Sequence, residues 1–270
     1  MSERDGYQAG VPCWVAGFYH DPERAVAFYT ELFGWEAEET VGADSPGEYH
    51  ICRLRGRDVA AVGSRRGGPP AGAWETYIWV ESAEETVAGV TDAGGSVILE
   101  PFDLLDAARV AVVADPAGAV FGVWQPREHR GARLVNEPGA WAISQLGTHD
   151  PGGSKAFYGA VFGWVTDTFD MGEGEVTLWR VPGYVGGEPE QPVSREVVGV
   201  MVPATGDPEE VPARWNVDFW VGDVDAAIGK AKRLGGEVVV PPFDTSVSRT
   251  AVLADPQGAV FSVSKVGSVS

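Results

Sequence analysis

The chain repeats itself, and this repeat constrains the fold more than any other feature of the sequence. His20–Pro22 returns as His149–Pro151, and the Phe-Tyr and Phe-Gly-Trp motifs that follow return at the same displacement. Farther along, Arg109–Phe121 returns as Arg249–Phe261 with few changes. A repeat of this length within 270 residues predicts two tandem domains that share one fold. We place the first domain at residues 1–128, a linker at 129–139 and the second domain at 140–270.

The order of hydrophobic periodicities in each copy predicts one strand, one helix and three strands, taken twice. The apolar run Cys13–Phe18 is followed by residues with helical spacing, and Asp21 and Gly34 are placed to cap and to end that helix. A strand over Trp74–Val80 and a helix over Ala83–Ala93 begin the second half of the copy. We therefore predict an α+β fold in which each domain contains two βαβββ modules.

The motifs resemble those of a known family. Asp-Pro, Phe-Tyr, Phe-Gly-Trp, the Gly94-Gly95 helix stop and Asp-Pro-x-Gly-Ala-x-Phe occur in this order and resemble the vicinal oxygen chelate superfamily. That superfamily contains glyoxalases, bleomycin-resistance proteins and extradiol dioxygenases. The resemblance covers nearly the whole chain, and it implies that each domain curls into a cup-shaped mixed sheet around a ligand cavity, with its helices outside. It does not fix a function, because members isomerise, cleave, transfer or only bind.

The resemblance also implies where a divalent metal ion would lie. Metal-using relatives hold the ion with His, Gln or Glu on the first, fourth, fifth and eighth strands of the cup. Small or apolar side chains occupy the fourth strand here, and the other positions carry Trp14, Glu75 and Gly122 in the first copy and Ile143, Asn216 and Ser262 in the second. A metal site needs about three protein ligands. We therefore expect no metal and no other cofactor, and leave His50 open as an exception.

Strand alternation from these positions predicts which side chains face each cup. In the first copy the predicted ligand-binding residues are Trp14, Phe18, Glu75, Tyr77, Trp79 and Trp124. In the second copy they are Gln145, Asn216, Asp218 and Trp220, which form a smaller and more polar cup. Aromatic side chains beside a carboxylate suit a planar, aromatic or cationic small molecule. The alternative is that the aromatic side chains pack against one another and leave no cavity.

Composition restricts the partners. A net charge of -19 and a pI of about 4.5 argue against a nucleic acid or an anionic membrane, because both attract basic surfaces. The two cysteines, Cys13 and Cys52, do not indicate a disulfide framework. No basic leader or long apolar run is present, so we expect a cytoplasmic protein. We also expect a monomer, since the tandem supplies an internal pseudo-dimer.

These observations favour a metal-free protein that binds an aromatic or drug-like small molecule in the aromatic first cup. One alternative is an enzyme of the same fold, lyase, isomerase or dioxygenase-like, in which Glu75 or Asp218 acts as a general base. Another is a metal-dependent lyase or dioxygenase with a non-standard set of ligands. A fourth hypothesis is that the protein docks to another protein through its acidic surface.

Overall fold

The computed structural model describes residues 3–40, 48–64, 73–170, 175–186, 195–209, 211–245 and 247–267. The first domain consists of β1 (Pro12–Tyr19), α1 (Pro22–Phe33), β2 (Glu36–Glu39), β3 (Tyr49–Leu54), β4 (Arg57–Ser64), β5 (Ala73–Trp79), α2 (Ala83–Asp92), β6 (Ser96–Leu104), β7 (Ala108–Ala114) and β8 (Val120–Pro126). The second consists of β9 (Trp141–Thr148), α3 (Pro151–Phe162), β10 (Val165–Asp170), β11 (Glu175–Arg180), β12 (Val197–Pro203), β13 (Arg214–Trp220), α4 (Val224–Arg233), β14 (Glu237–Asp244), β15 (Ser248–Ala254) and β16 (Val260–Val266).

The first helix of each domain begins and ends as the repeated motifs predict. The Asp21 side chain accepts a hydrogen bond from the backbone N–H of Arg24, and Pro22 occupies the first turn. Gly34 ends the helix in the left-handed region at φ 75°, where a residue without Cβ is favoured. Asp150 and Gly163 play the same parts for α3. The caps therefore fix where both helices begin and end.

Each domain contains one eight-stranded mixed sheet, in the order β2-β3-β4-β1-β5-β8-β7-β6 in the first and β10-β11-β12-β9-β13-β16-β15-β14 in the second. Within each module the first strand pairs in parallel with the last, and the two modules meet through an antiparallel pair, β1 with β5 or β9 with β13. The predicted α+β fold of two βαβββ modules per domain is confirmed. No described helix is long and apolar enough to cross a membrane.

The domains are joined by two equivalent hydrogen-bonded contacts in the buried interior. Tyr29 on α1 donates to Asp255 of the second domain at 2.9 Å, and Tyr158 on α3 donates to Asp115 of the first at 3.2 Å. Each tyrosine oxygen also accepts a hydrogen bond from an indole N–H of its own domain, from Trp74 or Trp215 respectively, at 2.9 Å. Each aspartate belongs to the repeated Asp-Pro-x-Gly motif. The motif therefore has a structural role: it closes a turn and holds the partner domain.

The segment between β8 and β9, which contains the predicted linker, packs against the first domain. Ala132, Leu134 and Val135 are buried, and the backbone N–H of Ala132 bonds to the Cys13 carbonyl at 2.8 Å. Glu3 near the amino terminus forms an isolated bridge with Leu134. The amino-terminal segment and the linker therefore lie side by side, and both approach the second domain.

Candidate functional site

The first cup is filled by its own aromatic side chains. Trp14 on β1, Tyr77 on β5 and Trp124 on β8 are all buried. The rings of Trp14 and Trp124 are 6.3 Å apart, and Tyr77 stands edge-on to Trp124 at 5.7 Å. His129 from the linker packs against Trp14 at 4.5 Å. The aromatic side chains predicted to bind a ligand here pack against one another, and their role in binding stays a prediction.

The acid of the first cup is bonded within this core. The Tyr77 hydroxyl donates to Glu75 Oε2 at 3.0 Å, and Glu75 is itself buried. The ring of Tyr77 lies over Gly122 on β8, where an added Cβ would come within 2.2 Å of it. Gly122 therefore lets Tyr77 occupy the floor of the cup.

The remaining first-cup residues lie toward its edges. Phe18 is half-buried with its ring 6.5 Å from that of Tyr49. Trp79 packs against Tyr7 at 6.1 Å and under the guanidinium of Arg130 at 5.9 Å. Both side chains contact other parts of the first domain.

The second cup contains a cavity of about 460 Å³. Its position reverses the expectation that the second cup is the smaller one. At the positions equivalent to Trp14, Tyr77 and Trp124, the second copy carries Ile143, Asp218 and Ser264. These three side chains line the cavity, and none of them is large enough to fill the cup. The volume occupied by aromatic rings in the first domain is open in the second.

The cavity has an apolar side and a polar side. The apolar side consists of Val176 and Leu178 on β11, Val198, Val200 and Val202 on β12, and Ile143 on β9. The polar side runs across the neighbouring strands and consists of Gln145, Asp218, Ser262, Ser264, Thr250 and Ser248. Trp141 and Trp220 contribute aromatic surface. A flat molecule with polar groups along one edge matches this arrangement.

Asp218 is the most unusual side chain of the second cup. Its Oδ2 accepts a short hydrogen bond from the Ser264 hydroxyl, whereas its Oδ1 is buried and has no hydrogen-bond partner among the residues that the structure describes. Burial raises the pKa of the Asp218 carboxyl to about 7, and the bond from Ser264 opposes only part of that effect. A carboxyl in this state can accept a hydrogen bond or a proton from a bound molecule near neutral pH.

Other predicted residues of the second cup lie close to Asp218. Gln145 and Trp220 line the cavity. Asn216 reaches the polar side through its Nδ2, which donates to Ser262 Oγ at 2.6 Å. Strand alternation therefore brings Gln145, Asn216, Asp218 and Trp220 together on one side of the sheet. Their roles in binding remain predictions.

Sequence reasoning missed the residues that complete the cavity from outside the second sheet. Tyr7 from the amino-terminal segment and Asn136 from the linker both line it, and the Tyr7 hydroxyl is held by the Ala132 carbonyl at 2.7 Å. Phe243 and Val247, at the β14–β15 turn, lie at its partly exposed opening. The only signal for these positions was the isolated aromatic Tyr7 in a polar segment.

The fold and this cavity define a protein of the glyoxalase type. Residues 14–123 match the family model of the glyoxalase/bleomycin resistance protein/dioxygenase superfamily, and residues 141–264 match that of a glyoxalase-like domain. The chain belongs to this superfamily, as its motifs indicate, and carries two of its domains in tandem.

Two relatives match along almost their full length. One is "Putative glyoxylase CFP32" of Mycobacterium tuberculosis, 39% identical over 269 residues that cover 98% of both chains. Another is "Anthracycline biosynthesis protein DnrV" of Streptomyces peucetius, 36% identical over 276 residues that cover 95% of this chain and 94% of that one. Among solved structures, the Mn(II)-bound glyoxalase from Novosphingobium aromaticivorans superimposes with a TM-score of 0.62 over 95% of this chain and 82% of that chain. At 16% identity this last likeness concerns the fold alone.

The donors in the two cups do not fit a divalent metal ion of the kind that the fold family implies. Among the described residues, no three or more His, Cys, Asp and Glu side chains converge on one point. In the first cup Glu75 is bonded to Tyr77, and Trp14 and Gly122 supply no donor. In the second, Asp218 is the one carboxylate among the described lining residues. His50, the exception left open, lies on β3, where its Nε2 is 3.5 Å from Glu48 Oε2. It belongs to neither of the two sets of candidate ligands.

Proposed function

We propose that this protein binds a flat, largely apolar, drug-sized organic molecule in the cavity of its second cup, and that it does so without a metal ion. The observation that carries the proposal is the loss of three large side chains. Where the first cup is closed by Trp14, Tyr77 and Trp124, the second has a cavity of about 460 Å³ with an apolar and a polar side. This volume lies within the range of about 300–1,000 Å³ that is usual for small-molecule sites.

The name of one relative supports a ligand of this kind. One of them is named for anthracycline biosynthesis, and anthracyclines are built on planar fused rings that carry polar groups along their edges. A ring system of this shape would contact the valines of β12 with one face and the polar strands with one edge. Trp141 and Trp220 would add stacking contacts.

The experiment fills the second cup with a side chain that the first cup already accommodates. Ile143→Trp introduces the residue found at the equivalent Trp14, and Ile143→Leu is the matched control that keeps the volume. Planar aromatic compounds, hydroxyanthraquinones among them, are tested by native mass spectrometry and by quenching of tryptophan fluorescence. We expect one ligand per chain in the wild type and in Ile143→Leu, and a loss of binding in Ile143→Trp. Binding that survives in Ile143→Trp would place the ligand elsewhere.

A second candidate function is favoured by the state of Asp218. A buried carboxyl that lines a cavity, has a pKa of about 7 and has one oxygen without a partner among the described residues has the properties of a general base. The corresponding reaction class is proton abstraction from a bound carbon or oxygen acid. Glu75 is less suited to this role, because Tyr77 already donates to it inside a packed core. Exchange of a ligand C–H for deuterium in D₂O, present in the wild type and absent in Asp218→Asn, would establish catalysis.

The protein is also proposed to act as a monomer. The surfaces that separate chains would use to pair are already buried between the two domains, where Tyr29 and Tyr158 bond to aspartates of the opposite domain. Light scattering of the purified chain should give the mass of one 28.6 kDa chain. A concentration-independent dimer would contradict this.

A further inference from the structure

The two cups differ in how they satisfy a buried carboxyl group. In the first cup, the acceptor Glu75 and the donor Tyr77 are two residues apart on β5 and face the same side of the sheet. The equivalent positions on β13 carry Asn216 and Asp218. The second cup therefore also has one carboxyl at this pair of positions, that of Asp218. It has no tyrosine there that could donate a hydrogen bond to this carboxyl, as Tyr77 does to Glu75 in the first cup.

Among the described residues, no side chain of the second cup replaces that donor. Asn216 Nδ2 donates to Ser262, and the Ser264 hydroxyl is used by Asp218 Oδ2. Asp218 lines the cavity, and its Oδ1 is buried and has no partner within the described part of the chain. A buried carboxylate oxygen without a donor is costly, so the bound molecule is the natural source of one.

We propose that the ligand of the second cup is a hydroxyaromatic compound whose ring hydroxyl donates a hydrogen bond to Asp218 Oδ1. This proposal rests on the proposed function, since it concerns the same cavity. The aromatic rings of the ligand would fill the volume that Trp14, Tyr77 and Trp124 occupy in the first cup. Its hydroxyl would donate a hydrogen bond to the acid, as the Tyr77 phenol does in the first cup.

The space around Asp218 supports an aromatic ring beside the hydroxyl. Residues that flank Asp218 across the sheet are Ile143 on β9 and Ser262 on β16, in direct register. In the first domain the equivalent row is Trp14, Tyr77 and Gly122, and it holds a tyrosine ring. The shorter side chains of the second row leave that ring volume open above Asp218.

The charge of the lining favours a neutral donor near Asp218. Arg4 and Asp218 are the charged residues among the described lining, and Arg4 donates to the Gly186 carbonyl. In the first cup, the donor to the buried acid Glu75 is the neutral phenol of Tyr77. A ring hydroxyl can donate to Asp218 without bringing a second charge into an apolar cavity, which would carry its own desolvation cost.

The test compares three probes of one shape: naphthalene, 2-naphthol and 2-naphthylmethylamine, which is cationic at pH 8. Dissociation constants are measured by titration calorimetry for the wild type, Asp218→Leu and Asp218→Asn, with Glu237→Gln, a change of an exposed acid at the start of β14, as the control. We expect wild type to bind 2-naphthol on the order of tenfold to hundredfold more tightly than naphthalene, the usual gain from a hydrogen bond to a charged group. Asp218→Leu should reduce that preference to near unity with naphthalene affinity retained, Asp218→Asn should reduce it in part, and Glu237→Gln should leave it unchanged.

Three results would overturn the proposal, and one of them would also overturn the proposed function on which it rests. Equal affinity for naphthalene and 2-naphthol in the wild type shows that Asp218 does not receive the hydroxyl, while the cavity still binds a planar molecule. Tighter binding of the amine than of 2-naphthol shows that Asp218 is instead an anchor for a cation. If none of the three probes binds the folded wild type, the second cup is not a site for planar aromatic molecules, and the proposed function fails together with this proposal.

Discussion

Asp218→Asn should make the ligand-free protein more stable, and increasingly so as the pH rises through neutrality. The wild-type carboxyl is buried, and its pKa is raised from 3.8 to about 7 because the ionised form loses its hydration. Above pH 4 the unfolded chain releases this proton while the folded protein keeps it. The folded state therefore binds more protons than the unfolded state, and the free energy of unfolding falls as pH rises toward the folded pKa.

The size of the effect follows from the two pKa values. Once the pH exceeds the folded value, the penalty on the wild type reaches about 4 kcal/mol, since each unit of pKa difference corresponds to about 1.4 kcal/mol. About half of this penalty is present at pH 5.5, where the unfolded carboxyl is already ionised. The stability difference between Asp218→Asn and wild type should therefore grow by about 2 kcal/mol from about pH 5.5 to about pH 8.5. Burying the Asn amide has its own cost, but that cost is the same at both pH values.

The measurement is urea denaturation followed by tryptophan fluorescence at a series of pH values. Glu237→Gln, which removes an exposed acid at the start of β14, is the matched control and should give a pH-independent difference. A pH-independent difference in Asp218→Asn would refute the reasoning, because it would mean that the folded-state pKa of Asp218 is not raised into this pH range.

Three further predictions concern the scaffold. Tyr158→Phe should lower the free energy of unfolding by about 2–4 kcal/mol, because it leaves a buried aspartate oxygen and an indole N–H without partners; urea denaturation measures this. Gly122→Ala should destabilise by about 1–3 kcal/mol, because its Cβ would overlap the tyrosine ring on the adjacent strand, whereas Gly89→Ala, with open space in a helix, should stabilise by up to about 1 kcal/mol; thermal denaturation compares the two. Burial raises the pKa of the Cys13 thiol well above its usual value and that of Cys52 to about 12, so neither should react with a disulfide reagent at pH 8 until the protein unfolds, and rapid reaction of the folded protein would contradict this.

The repeat and the local capping signals were sufficient to predict the two domains and the first helix of each. Duplicated motifs identify the two domains, and Asp21 and Gly34 define a helix that the structure confirms in both copies. These features are local in sequence, and their physical meaning does not depend on distant residues. The mixed sheet followed from the resemblance, because the pairing of distant strands leaves no local signal.

The direction of the side chains in the cups was predictable, but the space between them was not. Alternation along β13 correctly places Asp218 and Trp220 on the cavity side. Whether a cup is open depends on the summed size of side chains on several strands, and these meet only in three dimensions. The sequence predicts Trp14 and Trp124 as a lining for a ligand, whereas their rings pack 6.3 Å apart in the first cup.

The residues that complete the cavity wall from outside the second sheet could not be predicted from the sequence for a related reason. Tyr7 and Asn136 lie in segments without periodic hydrophobicity, so no pattern predicts which surface they cover. Their position follows from the bridge between the amino-terminal segment and the linker, together with the packing of both on the first domain. One domain thus supplies part of the wall of the other domain's site.

The two cups differ in what they contribute to stability. An open cavity and an unpaired buried carboxyl both destabilise the second domain, and the expected gain in Asp218→Asn measures the carboxyl's part of that cost. The closed first cup has the opposite character, since its aromatic rings are packed and its acid is bonded. The contacts of Tyr29 and Tyr158 join the two domains through their interiors, so unfolding of the second domain would also expose buried groups of the first. In this tandem arrangement the second domain contains a buried carboxyl that lowers its stability. The first domain, whose cup is closed, helps to keep the second domain folded through the contacts between them.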